Sequence, residues 1–125
     1  MQPINVTASD VVAELRAVVA EQPDYVYEYP GEAPDKSLDC YYVHPSESGT
    51  VPGCVVGHVL NRLGVPLHVL RGYEGSDARQ VAERTLNITG DPDHGHDVRL
   101  TLQQVQCAQD GGMAWGTALA MALDD

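Results

Sequence analysis

With 125 residues, seven basic and eighteen acidic side chains and a formal charge of −11, the chain is expected to form one globular domain over residues 1–125, able to bury a core without disulfide staples. Scattered bases and an acidic surface argue against direct nucleic-acid binding through a basic face and against anionic lipid. No apolar stretch has the length of a membrane span and no apolar leader opens the chain, so a cytoplasmic protein with no membrane association is expected, its three cysteines reduced.

Taken in order, the first predicted element is a helix. Thr7 is its N-cap, Asp10 occupies N3 in a short relative of the capping box, and Val6 and Val11 fall where a hydrophobic staple would lie. Val11, Val12, Leu15, Val18 and Val19 make one apolar stripe, and Pro23 stops the helix near Gln22.

Residues 25–29, YVYEY, have β-type composition. Tyr25, Tyr27 and Tyr29 share one face, either a binding platform or a half-buried sheet face. After the turn-rich stretch 30–37, CYYV at 40–43 predicts a second strand, so the two runs are expected to form a hairpin covered by helices.

PGCVVGHVLNRLGVP, residues 52–66, reads as one helix with both ends marked. Pro52 suits its first turn, Gly64 a left-handed terminus, Val65 the apolar contact beyond it, and Pro66 forbids continuation. Val56, Val59, Leu60 and Leu63 face a core, with Cys54, His58 and Asn61 opposite. Gly57 costs about 1 kcal/mol against Ala in a helix interior, so close approach by another segment is expected there.

A short helix is predicted from Pro66, and another capped by Ser76 with Ala78, Val81, Ala82 and Leu86 inward. Residues 87–97 are expected to form a loop. Val98, Leu102 and Val105 fit a helix capped by Asp97 and ending near Asp110, although the alternation of Val98, Leu100 and Leu102 equally suits a strand. Trp115, Ala118, Leu119 and Ala122 form the apolar face of a last helix. The fold expected is α+β and mostly helical, a short hairpin packed on about five helices, with no internal repeat.

Candidate chemistry centres on Cys54 and His58. A thiol in the first turn of a helix gains from the dipole, and an imidazole one turn on is placed as its base. Without an orienting third residue or an oxyanion site, Cys54 is better explained as a core residue, and no catalytic residue is assigned. Cys40, His44, Cys54 and His58 invite a zinc reading. Four residues of strand span about 13 Å, too far for Cys40 and His44 to share an ion. Asp91, Asp93, His94 and His96 crowd one loop and are weak candidates for a divalent ion, but their spacing is equally turn chemistry. No metal or other cofactor is implied. A disulfide between Cys40 and Cys54 is the less favoured alternative to free thiols.

The charge is −7 over residues 1–50, +1 over 51–75 and −5 over 76–125, so acid flanks a near-neutral centre. Usage is skewed too: one Lys, no Phe and two Ile, with Ala, Val, Gly, Asp and Arg abundant, as in a GC-rich genome. Cys40–Tyr42 followed by PGCVVGHVLNRLGVP, and later CAQDGGMAWGTAL at 107–119, resembles a family of small proteins encoded by actinobacteriophages and their hosts. In that family the position before the Trp is often Ser or Thr; here it is Ala114, so the last helix is expected to start less firmly. The resemblance implies common source and fold and carries over no catalytic residues. The expectation is a small acidic phage or phage-derived accessory protein, non-enzymatic, that binds a host or phage protein. Homodimerisation through the Ala-rich last helix is plausible. The alternatives are a Cys/His enzyme or metal protein built on Cys54 and His58, and an acidic DNA mimic.

Overall fold

Thr7 is the chain's first fixed point. In the computed structural model, which describes residues 1–90 and 97–123, the Thr7 hydroxyl accepts the Asp10 N–H at 3.0 Å. The Asp10 carboxylate accepts the Thr7 N–H in return, at 2.9 Å. This reciprocal cap starts α1 (Ala8–Glu21), which ends at Gln22 ahead of Pro23. The whole apolar stripe of α1 is buried.

The residues before Thr7 are a strand, an element not expected from the local pattern. β1 (Ile4–Thr7) pairs in parallel with β4 (Leu86–Thr89), part of the stretch expected to be loop. The two strands are INVT and LNIT, matched residue for residue from Ile4 opposite Leu86 to Thr7 opposite Thr89. Asn87 donates to the Asn5 side chain at 2.9 Å, and the Thr89 hydroxyl donates to the Val6 carbonyl at 3.4 Å.

The hairpin lies elsewhere than predicted. It is β2 (Val43–Ser46) against β3 (Gly49–Pro52), with Gly49 at φ +118° in the turn. Residues 25–29 and 40–42 form no strand. Burial of YVYEY does alternate as expected, with Tyr25, Tyr27 and Tyr29 half-buried and Val26 and Glu28 exposed. The Tyr25 carbonyl, however, is spent on a helix end rather than a neighbouring strand, together with that of Pro23 just before the run. Pro23 O accepts the Gly116 N–H at 2.7 Å and Tyr25 O accepts the Trp115 N–H at 2.9 Å. These are orphan donors of α6 (Trp115–Leu123), so backbone supplies the cap that Ala114 cannot.

The central helix is shorter at its start than its sequence suggests. α2 runs Val55–Arg62 with Cys54 as N-cap, and Pro52 belongs to β3. Gly53 N–H donates to Tyr42 O at 2.8 Å and Cys54 N–H to Tyr41 O at 2.9 Å, so the hairpin ladder continues for two residues where a first helical turn was expected. The far end is as read: Gly64 has φ +117°, Val65 is fully buried and Pro66 starts the next element. Gly57 meets the close approach expected of it. A Cβ there would overlap the Tyr42 carbonyl oxygen.

α3 (Leu67–Arg71) follows from Pro66. α4 (Ala78–Thr85) is capped by Asp77, whose carboxylate accepts the Gln80 N–H at 2.8 Å, and not by Ser76. α5 (Val98–Asp110) is a helix throughout, with Asp97 as its cap, so the strand alternative is discarded. α1, α2, α5 and α6 pack on one another around a single apolar cluster, with β1–β4 beside α1 and α4. The domain is mostly helical α+β, with six helices and two two-stranded sheets among the described residues. No helix among them is long and apolar enough to cross a membrane.

Candidate functional site

The polar interior of this fold is organised by α5. Its inward face is Val98, Thr101, Leu102, Val105, Gln106 and Gln109, at helical spacing, so two glutamines occupy core positions. Burying an amide is costly unless its atoms are bonded; Gln109 is bonded at both its oxygen and its nitrogen, whereas Gln106 is bonded at its nitrogen and its buried Oε1 has no partner among the described residues. Gln109 Oε1 accepts the Val55 N–H at 2.9 Å and the Trp115 indole N–H at 3.1 Å. It thereby caps α2, whose N-cap Cys54 makes no side-chain bond to the helix.

Gln106 lies one turn earlier, and its Nε2 touches two sulfurs. It contacts Cys40 Sγ and reaches Cys54 Sγ at 3.2 Å. Cys54 is fully buried and Cys40 half-buried. Cys54 and Asp110 are the groups that act most strongly on the Cys40 thiol. Hydrogen bonding to Cys54 pushes the Cys40 thiol far up from its ordinary value, helped by burial and the Asp110 charge. Asp110 is raised too, first by burial and then by the charge of Asp39.

This group forms the inner wall of a cleft of about 270 Å³ between residues 37–42, the 75–78 turn and α5. Asp39, Asp77 and Asp110 line it, and no Lys or Arg is among its described lining residues. Such a cleft holds neutral thiols and concentrates negative charge. It is the opposite of the electropositive setting that sustains a reactive thiolate.

A second cluster surrounds His44, on the hairpin's buried face. The Tyr27 oxygen accepts the Tyr41 N–H at 2.9 Å and lies 2.6 Å from His44 Nε2; in the neutral tautomer with its proton on Nδ1, the ring accepts the Tyr27 hydroxyl there. Tyr29 meets both the His44 ring and Tyr41. Burial lowers His44 to about 4, with the charge of His58 acting the same way. Gly53 is required here, because a Cβ would strike the Tyr41 carbonyl and the His44 ring.

The structure thus divides the residues that the sequence suggested. Cys54 joins Cys40 at Gln106, while the His58 ring packs edge-on to Trp115 with a centroid separation of 5.5 Å. Burial also lowers His58. His44 belongs to the tyrosine cluster, so the four supposed zinc ligands are split among three settings, with only Cys40 and Cys54 together. No group of three or more such side chains among the described residues is placed to hold an ion. Tyr27 and Tyr29 serve the His44 cluster, and Tyr25 meets Trp115 edge-on at 4.8 Å. Asp91, Asp93, His94 and His96 lie outside the described residues. Gln106, Gln109 and Asp110 were missed, although polar residues on the apolar stripe of α5 were a visible signal.

No family model, curated protein or solved structure matches the chain.

Proposed function

We propose that this chain is a small acidic accessory protein, phage-encoded or phage-derived, that works in the cytoplasm by binding another protein and not by catalysis. The observation that carries this reading is α6. From Trp115 to Leu123 the helix has no charged residue, and Thr117 is the one polar side chain on its mainly apolar outer side. Trp115, Ala118, Ala122 and Leu123 face the core. On the outside, Ala120 and Met121 are exposed, Met121 at 60 %, and Leu119 is half-buried. A helix whose outer side is so largely apolar is normally covered there.

Beside this face Arg16, Gly116, Leu119, Ala120 and Leu123 border a groove of about 210 Å³. The −11 charge elsewhere keeps copies apart and suits a basic partner. A reaction through Cys54 and His58 gains no support from a buried thiol bonded to Gln106 and an imidazole against Trp115.

Tagged wild-type protein and the Met121→Glu variant, with equal helical circular dichroism, are the test. Capture from host lysate at low and high salt is expected to recover a partner that the variant loses and high salt does not. Identical recovery by both proteins, or capture abolished by salt alone, would overturn the reading. Sedimentation of the isolated protein shows whether a second copy is that partner.

A further inference from the structure

We propose that Cys40 and Cys54 are an oxidisable pair, and that a peroxide converts them to an internal disulfide spanning the hairpin. This chemistry is independent of the protein-binding role and rests on placement. Cys54 N–H donates to Tyr41 O, which brings the Cys54 backbone against the residue next to Cys40. Both sulfurs lie within reach of one and the same amide nitrogen, Gln106 Nε2, so they converge on a single point. Their exposure is unequal in the useful sense. Cys40 opens onto the cleft, while Cys54 is sealed behind it.

The step balances without help from the protein beyond a proton acceptor. The Cys40 thiol gives its proton to Asp110, and its sulfur attacks one oxygen of hydrogen peroxide. The O–O bond breaks, the departing hydroxide takes the proton back from Asp110 and leaves as water, and Cys40 becomes a sulfenic acid. The Cys54 sulfur then attacks the Cys40 sulfur. An S–S bond forms, the S–O bond breaks, and the departing hydroxide takes the Cys54 proton as a second water. Two electrons pass from the sulfurs to the peroxide. Gln106 Nε2 is placed to donate to whichever sulfur carries charge. The acidic setting makes the first attack slow. It also denies the reduced form any thiolate stabilisation, so the bond once formed resists monothiol reductants.

The test uses the intact protein, treated with hydrogen peroxide, quenched by alkylation under denaturing conditions, and read by intact mass and peptide mapping. The expected product has lost two hydrogens per chain and yields a Cys40–Cys54 cross-linked peptide. Cys107, which is exposed, is not part of it, and the Cys107→Ser variant gives the same product. Tm rises by roughly 5–10 °C, because the bond closes a fifteen-residue loop. A dithiol reductant reverses the change and glutathione does not. Three results would overturn the proposal: a cross-link involving Cys107, a Cys40 sulfinic acid without the cross-link, or both thiols still alkylated at a peroxide dose that oxidises Cys107.

Discussion

His44 and Tyr27 show how a titratable group can be enclosed without an ionic partner. The imidazole accepts from Tyr27 and is flanked by Tyr29, so it stays neutral and its value falls to about 4. Folded His44 therefore holds a proton less well than an unfolded histidine. Its contribution to stability is complete above about pH 6.5 and is lost as pH falls through that value toward 4. His58, lowered by burial, acts in the same direction. Glu74 and Asp110, both raised by burial, act in the opposite one, because the folded chain takes up their protons first. The expected result is a His44 ring that titrates near pH 4 by NMR. The His44→Gln variant, which keeps an acceptor for Tyr27, should lose less stability between pH 6.5 and 4. A ring midpoint near 6.5 would contradict the enclosure described.

At the scale of elements, helices and strands were unequally legible. α1 announced itself through its cap and a 3.6-residue period, since both signals are local, whereas the alternation of Val98, Leu100 and Leu102 left a strand open for α5. The strands have four residues each, too few for alternation to stand out. Pairing of β1 with β4 is set by residues 82 apart in sequence, beyond any local pattern. The tyrosine run failed as a strand for a related reason: its side-chain alternation was right, but its first carbonyl, that of Tyr25, is taken by the α6 terminus. The candidate cleft was legible only as three cysteines, because the residues that organise it are glutamines. Gln109 also makes a sharp test of element capping. Gln109→Leu keeps the bulk but strands the Val55 and Trp115 N–H groups in the interior. At about 1–3 kcal/mol for each orphaned donor, the loss should be about 2–6 kcal/mol in denaturant unfolding. A loss under about 1 kcal/mol would mean that neither bond matters to α2.

For the whole molecule, like-charge repulsion outweighs the ion pairs. Exposed pairs such as Lys36–Glu32 at 3.2 Å and Arg79–Glu83 at 3.6 Å contribute little. Arg62 is better used, bonding Glu21 at 2.7 Å and lying 3.8 Å from Glu14, which ties α2 to α1. Against these stands a net charge of −11 whose self-repulsion disfavours the compact state. Raising sodium chloride from roughly 0.02 to 0.5 M shortens the screening length several-fold and should raise Tm. A Tm that falls with salt would show that the ion pairs matter more than the repulsion.

The matched tetrapeptides INVT and LNIT carry a consequence for how the chain is made. During synthesis α1 emerges from the ribosome long before Leu86–Thr89 exist, so Ile4–Thr7 must wait with its ladder groups open to water. Closing so long a loop is entropically demanding. The β1 edge is therefore a seam left open until residue 89 has been made, and a nascent chain stalled before that point offers it to a stranger.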